Sequence, residues 1–178
     1  MPLTKIKSLG ITDGTILGTD VNSTFDLTGK TVTLPAGTGG KVLQVVSATN
    51  NTSTTSSSSS YADTGLTASI TPSSTSSKVL VLVFHNGCGK SSNDTALQLK
   101  LLRASTDLVQ FEKFAGATSS GSQNNFGTVG ISYLDSPSTT SSTTYKTQLS
   151  SFSNNATVYV NTGSIYSSIT LIEIAVWL

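Results

Sequence analysis

The residue types with the most chemistry to offer sit close together. The single histidine, His85, and the single cysteine, Cys88, lie three positions apart. A thiol and an imidazole in contact would make a nucleophile and its base. Residues three apart on an extended strand point to opposite faces, however, so the pair is expected to stay apart. His85 continues an apolar run and reads as a buried, hydrogen-bonded structural histidine. Cys88 reads as a small buried thiol. One alternative for His85 is a place near the axis of a threefold assembly, where three copies could hold an ion. A single cysteine leaves no intrachain disulfide and no cysteine-based zinc cluster.

The carboxylates are scattered: Asp13, Asp20, Asp26, Asp63, Asp94, Asp107, Glu112, Asp135 and Glu173. They form no Asp-x-Asp calcium loop and no close pair, and surface charge or turn capping accounts for them. Glycosidase carboxylates can be distant in sequence, which keeps a glycan depolymerase as an alternative of a different class. Glu173 stands out because it lies inside an apolar strand. An unpaired buried carboxylate is costly, so this residue is expected at an exposed edge or beside a cation. Gly37-Thr38-Gly39-Gly40-Lys41 lacks the spacing of a phosphate loop and precedes a strand rather than a helix. Asn22-Ser23-Thr24 and Asn155-Ala156-Thr157 are glycosylation triplets that a Ser/Thr-rich chain produces by chance. Tyr61, Phe126, Tyr145, Tyr159 and Tyr166 are aromatics that could meet a sugar, but each is explained as well by strand packing. No catalytic, cofactor-binding or metal-ligating residue is assigned, no cofactor is implied, and the chain reads as a non-enzyme.

The bulk composition agrees. Charged residues make up 11% of the 178, with a formal net charge of +1, against about a quarter in an average globular protein. That balance gives no pull toward nucleic acid or anionic membranes. Serine and threonine supply about a third of the chain, and β-branched threonine favours pleated strands. Hydroxyl-rich, charge-poor surfaces suit a protein packed beside copies of itself. The N-terminus lacks the apolar run of a signal peptide, and no stretch approaches the ~20 apolar residues of a membrane span. Synthesis in a cytoplasm without membrane insertion is expected.

These residues require a scaffold of strands. Residues 1–40 form an arm in which single large aliphatics alternate with Gly, Asp and hydroxyl residues. Within it, Phe25 to Pro35 reads as a short hairpin about Thr28-Gly29-Lys30. Such a segment cannot bury its own side chains and is expected to dock on a neighbour, the alternative being a flexible tail. Residues 41–178 form the main domain. Strands are expected over 41–48, 61–70 with a bulge near Gly65, 78–85, 96–103, 108–114, 126–135, 144–152, 156–160 and 169–178. The stretches between them are loops, including the Asn/Ser/Thr run from 50 to 60. Lys78 to His85 is apolar on both faces and reads as a central strand covered on both sides. No amphipathic helix is found. Short strands at intervals of about ten residues indicate an all-β, jelly-roll-like β-sandwich with an extended N-terminal arm. A last strand apolar on both faces needs a second cover, which argues for a closed oligomer.

Three stretches carry a resemblance. They are Met1-Pro2-Leu3-Thr4-Lys5-Ile6 with its punctuated arm, Pro35 to Val46, and Tyr61 to Val81. Together they resemble the fibre-type and decoration-type structural proteins of tailed bacteriophages, especially those infecting marine and freshwater bacteria. The resemblance implies a homotrimeric jelly roll, similar in shape to the tumour-necrosis-factor and complement-C1q-like folds, without catalytic residues. It implies location in the virion, as a head or tail fibre attached to capsid or tail proteins through residues 1–40. The sandwich loops around 50–60, 86–94, 115–125 and 136–143 would meet a host surface glycan or protein. A capsid decoration (cement) protein stabilising capsomers is the alternative within that class.

Overall fold

The computed structural model describes residues 42–119, 124–153 and 156–175. The arm at 1–40 with its hairpin, the Gly37–Lys41 stretch, Asp13, Asp20 and Asp26 lie outside the described residues. Among the described residues ten strands follow in chain order: β1 Val42–Asn50, β2 Thr54–Ser56, β3 Ala62–Ile70, β4 Lys78–Lys90, β5 Leu97–Arg103, β6 Thr106–Ala115, β7 Asn124–Asp135, β8 Thr143–Ser151, β9 Val158–Val160 and β10 Ser167–Ile174. A single 3-10 turn at Thr162–Ser164 is the one helical element among the described residues.

One sheet runs β1-β10-β4-β7, with β9 and β2 extending it where β10 ends, and the other runs β3-β8-β5-β6. The pairings are nested: β1 with β10, β3 with β8, β4 with β7, β5 with β6, all antiparallel. That is one long hairpin rolled over on itself, the connectivity of a jelly roll. Its midpoint is the tight turn at Ala104, held at a φ of 51° without a glycine.

Alternation explains the layers. Along β4, Val79, Val81 and Val83 are fully buried between the sheets, and so are Ile169 and Leu171 of β10 and Leu66 and Ile70 of β3. A second cluster of Cys88, Leu97, Leu99, Leu149, Val158 and Val160 fills the far half. The predicted bulge in β3 is present, with a register shift between Asp63 and Thr67.

Two expectations need correction. First, β4 does not stop at His85 but runs on to Lys90, with register shifts against β7 between His85 and Gly89. Gly87 absorbs them with a φ of 58°, a conformation open to glycine. Second, the Asn/Ser/Thr run contains β2, paired to β9. Polar groups anchor it in place of apolar ones: Asn50 Nδ2 and Thr54 Oγ1 both donate to the Thr64 carbonyl, and Asn161 Nδ2 donates to Thr52 O. Among the described residues, elements cover the inner face of β4 and none lies over Leu80, Leu82 and Phe84.

The strands also define two poles. Val42, Lys78 and Ile174 share one end of the sandwich, through the pairs Val42–Ile174 and Ile174–Lys78. Lys90, Leu97, Ala115, Asn124 and Ser151 share the other. At about 3.3 Å per residue, β4 alone separates the poles by roughly 40 Å.

Candidate functional site: an uncharged sheet face and an aromatic recess

Cross-strand pairing places the outward residues of the first sheet in rows. Val45, Ile172, Leu80 and Leu134 form one, and Ser47, Thr170, Leu82 and Ser132 the next. The third is Thr49, Ser168, Phe84 and Gly130. Gly130 is required there: a β-carbon at this position would lie 2.7 Å from the Val83 carbonyl oxygen and 2.8 Å from the Phe84 ring. None of these residues is charged. Val45, Leu134 and Phe84 are 59%, 55% and 48% exposed. Within the second row the hydroxyls of Ser47 and Thr170 meet at 3.1 Å, and Ser47 Oγ also reaches the Ile169 carbonyl at 3.5 Å.

The outer face of the second sheet differs in kind. Lys146 pairs with Asp63 at 2.8 Å and Lys100 with Asp107 at 2.9 Å. Gln148 Nε2 donates to the other oxygen of Asp63. The hydrogen bonds from Lys146 and Gln148 hold the Asp63 carboxyl below the usual carboxylate range. Lys100 also stands 4.4 Å above the Tyr61 ring. One face is built for water, and the other is an apolar band edged with hydroxyls.

At the pole farther from Val42, loops from three connections border an open recess of about 420 Å³. Phe114, at the end of β6, and Phe152, just beyond β8, meet in its wall with ring centroids 4.9 Å apart and planes inclined at 60°. Both are about half exposed. Asp94 and Thr118 line it as well, tied together by the bond from Asp94 N to Thr118 O. Beneath lies Lys90, fully buried, whose ammonium donates to Thr118 Oγ1 at 2.6 Å and to Ser92 O at 2.9 Å.

The residues singled out from sequence fall elsewhere. His85 points between the sheets, its Nε2 2.9 Å from Thr147 Oγ1, which in turn lies 2.6 Å from Thr64 Oγ1. Its Nδ1 has no hydrogen-bond partner among the described residues. The inward placement removes it from the outer face and so from any axis there. Cys88 is also buried, and its thiol donates to the His85 carbonyl at 3.3 Å. The expectation of opposite faces therefore fails, because the bulge between the two restores the inward phase. Burial pushes the thiol up to about 12, the opposite of an activated nucleophile.

Glu173 is not at an exposed edge, and its partners among the described residues are uncharged. It is fully buried and accepts hydrogen bonds from Gln44 Nε2, Ser73 N and Ser73 Oγ at 2.6 to 2.7 Å. Burial acts to raise its pKa, but these donors outweigh it and bring the carboxyl down to about 2. Of the aromatics nominated, Tyr145 is wholly buried, Tyr159 nearly so, and Phe126 packs on Gly116, whereas Tyr166 is exposed. Phe114 and Phe152 were not nominated. Their signal was position: each ends a strand beside a Gly, Ala or Ser loop, where an inward-facing role is hardest to satisfy. Among the described residues no three His, Cys, Asp or Glu side chains come together to hold a metal.

Buried His85 and Glu173 set an acid limit on stability. Burial lowers the His85 pKa from 6.5 to about 4, so the folded protein resists a proton that the unfolded chain accepts. Stability therefore falls as pH drops below 6.5, and the loss reaches about 3 kcal/mol near pH 4. Glu173 works the same way lower down: its contribution is full above pH 4.5 and lost as pH falls toward 2. Urea unfolding followed from pH 7 to pH 4 is expected to show this decline, and H85Q to flatten it. An unchanged slope in H85Q would remove His85 as the cause.

No protein-family model matches the chain, and no curated protein matches it.

Proposed function

We propose that this chain is a subunit of a homotrimeric surface protein of a tailed-phage virion, of the head- or tail-fibre type. In this reading residues 1–40 dock to capsid or tail proteins and the sandwich is presented for host adhesion. The observation that carries it is the contrast between the two outer faces. A charged, ion-paired face is at home in water, whereas contiguous rows holding Val45, Ile172, Leu80, Leu134, Leu82 and Phe84 call for cover. A second and third copy provide that cover without penalty, because a face lacking charge meets its own copy without repulsion and its Ser and Thr hydroxyls both donate and accept. The polarity of the sandwich supports the same reading. Chain preceding Val42 enters at one pole, and the loop recess lies at the other. The threefold number and the virion setting rest on the sequence resemblance.

Light scattering after size exclusion tests the assembly. A mass three times the 18.4 kDa of one chain is the expected result. A monomer would overturn the reading, and a dimer would keep the covered face but refute the trimer. Copy number per particle then separates a fibre, present in few copies, from a decoration protein, present in many.

A further inference from the structure

We propose that the recess at the loop pole binds the ring of a neutral pyranose sugar. The proposal takes its biological setting from the adhesive reading above, but its chemistry stands on the recess alone. A pyranose presents an apolar C–H face and a rim of hydroxyls that both donate and accept. The recess offers the complement of each. Phe114 and Phe152, inclined at 60°, form an open aromatic wall against which C–H groups pack. Thr118, in the lining, supplies a hydroxyl donor. Its oxygen already accepts from the Lys90 ammonium, so its own proton must point elsewhere, and it has no acceptor among the described residues. Asp94 supplies an acceptor: one oxygen takes a hydrogen bond from Asn93 Nδ2 at 3.1 Å, which leaves the other for a ligand hydroxyl. The volume, about 420 Å³, falls within the range of small-ligand sites, about 300–1,000 Å³.

The same groups argue against other occupants. A purely apolar ligand would cover the Thr118 hydroxyl and the Asp94 carboxylate without pairing them, which is costly. An acidic sugar finds no net attraction. Lys90 lies beneath the recess and Lys113 stands 5.4 Å from the Phe114 ring. They are balanced by Asp94 and by Glu112, whose carboxylate accepts from the backbone N–H groups of Lys113 and Phe114.

Saturation-transfer NMR on the full chain tests this with the methyl pyranosides of glucose, galactose, mannose and N-acetylglucosamine. Cyclohexanol serves as the apolar control and a methyl sialoside as the acidic one. At least one neutral pyranoside is expected to receive saturation at its ring C–H protons. F114A and F152A are each expected to weaken it about tenfold. Both rings are half exposed, so the thermal transition of these variants should hold. If either variant melts early, amide shifts at Thr118 and Ser119 in the unmodified protein locate the ligand instead. Silence from all four pyranosides overturns the proposal. So does transfer that survives in F114A and F152A, shifts away from Thr118 and Ser119, or equal binding of cyclohexanol or the sialoside. Assembly mass is read separately, so a trimer that ignores sugars and a monomer that binds them are distinct results.

Discussion

The double variant L80K/L134K is expected to run at the mass of a single chain while keeping the melting transition of the unaltered sandwich. Leu80 and Leu134 are cross-strand partners on the uncharged face, and Leu134 is 55% exposed. In an isolated chain, lysines there extend into water and change stability little. In an assembly that buries this face, every copy carries two unpaired ammonium groups into a dry contact. Each costs at least about 2 kcal/mol. About 4 kcal/mol in total weakens association by roughly a thousandfold. Q110K, on the outer face of the opposite sheet, supplies the control and should leave the mass unchanged. If L80K/L134K still assembles like the parent, the apolar face is not the contact, whatever the oligomer.

The largest effect on folding is expected at Asp135. Its carboxylate accepts from Arg103 at 2.8 and 3.0 Å and from the Tyr145 hydroxyl at 2.6 Å. That joins β7 of one sheet to β5 and β8 of the other. Burial, reinforced by this bond, raises the pKa of the Tyr145 hydroxyl. D135A strands a guanidinium and a buried phenol at once, and is expected to cost about 4 kcal/mol in urea unfolding. Y145F removes one neutral donor and leaves the ion pair, so about 1.5 kcal/mol is expected. Arg103 is partly open to water, which keeps R103A well below D135A. Equal losses for D135A and Y145F would show that the ion pair contributes nothing.

What the sequence made legible was whatever alternates. The run Val79 to Val83, the leucines 97, 99 and 101 and the turn-rich gaps between them were enough for the strand list and the sandwich. Phase shifts were hidden from period-two reasoning. The bulge between His85 and Cys88 adds residues to one strand without altering residue types, so two side chains expected on opposite faces end on the same one. Polar anchoring was hidden as well. Thr54, Asn50 and Asn161 hold β2 through carbonyl contacts with residues far along the chain, and Glu173 is satisfied by Gln44 and Ser73, both distant in sequence. The uncharged face was half visible. The double-sided apolar character of β4 and β10 signalled an apolar outer face, but cross-strand register was needed to align Val45, Ile172, Leu80 and Leu134. Phe114 and Phe152 lie 38 positions apart and gain meaning only through the roll that brings β6 and β8 to one end.

That roll also sets how the sandwich carries load. β1 starts at the pole where the preceding chain enters and runs toward the recess, lying antiparallel to β10 over eight register pairs. Backbone hydrogen bonds in such a pair lie across the strand direction. If the chain before Val42 is tethered and a ligand is held at the opposite pole, as proposed, tension runs along β1. It must slide the strand past β10, straining all eight pairs together. The same bonds would give way one at a time if the tether left from the Asn50 end and peeled the strand outward. Entry at Val42 thus makes the outermost strand of the roll a shear joint rather than a zipper.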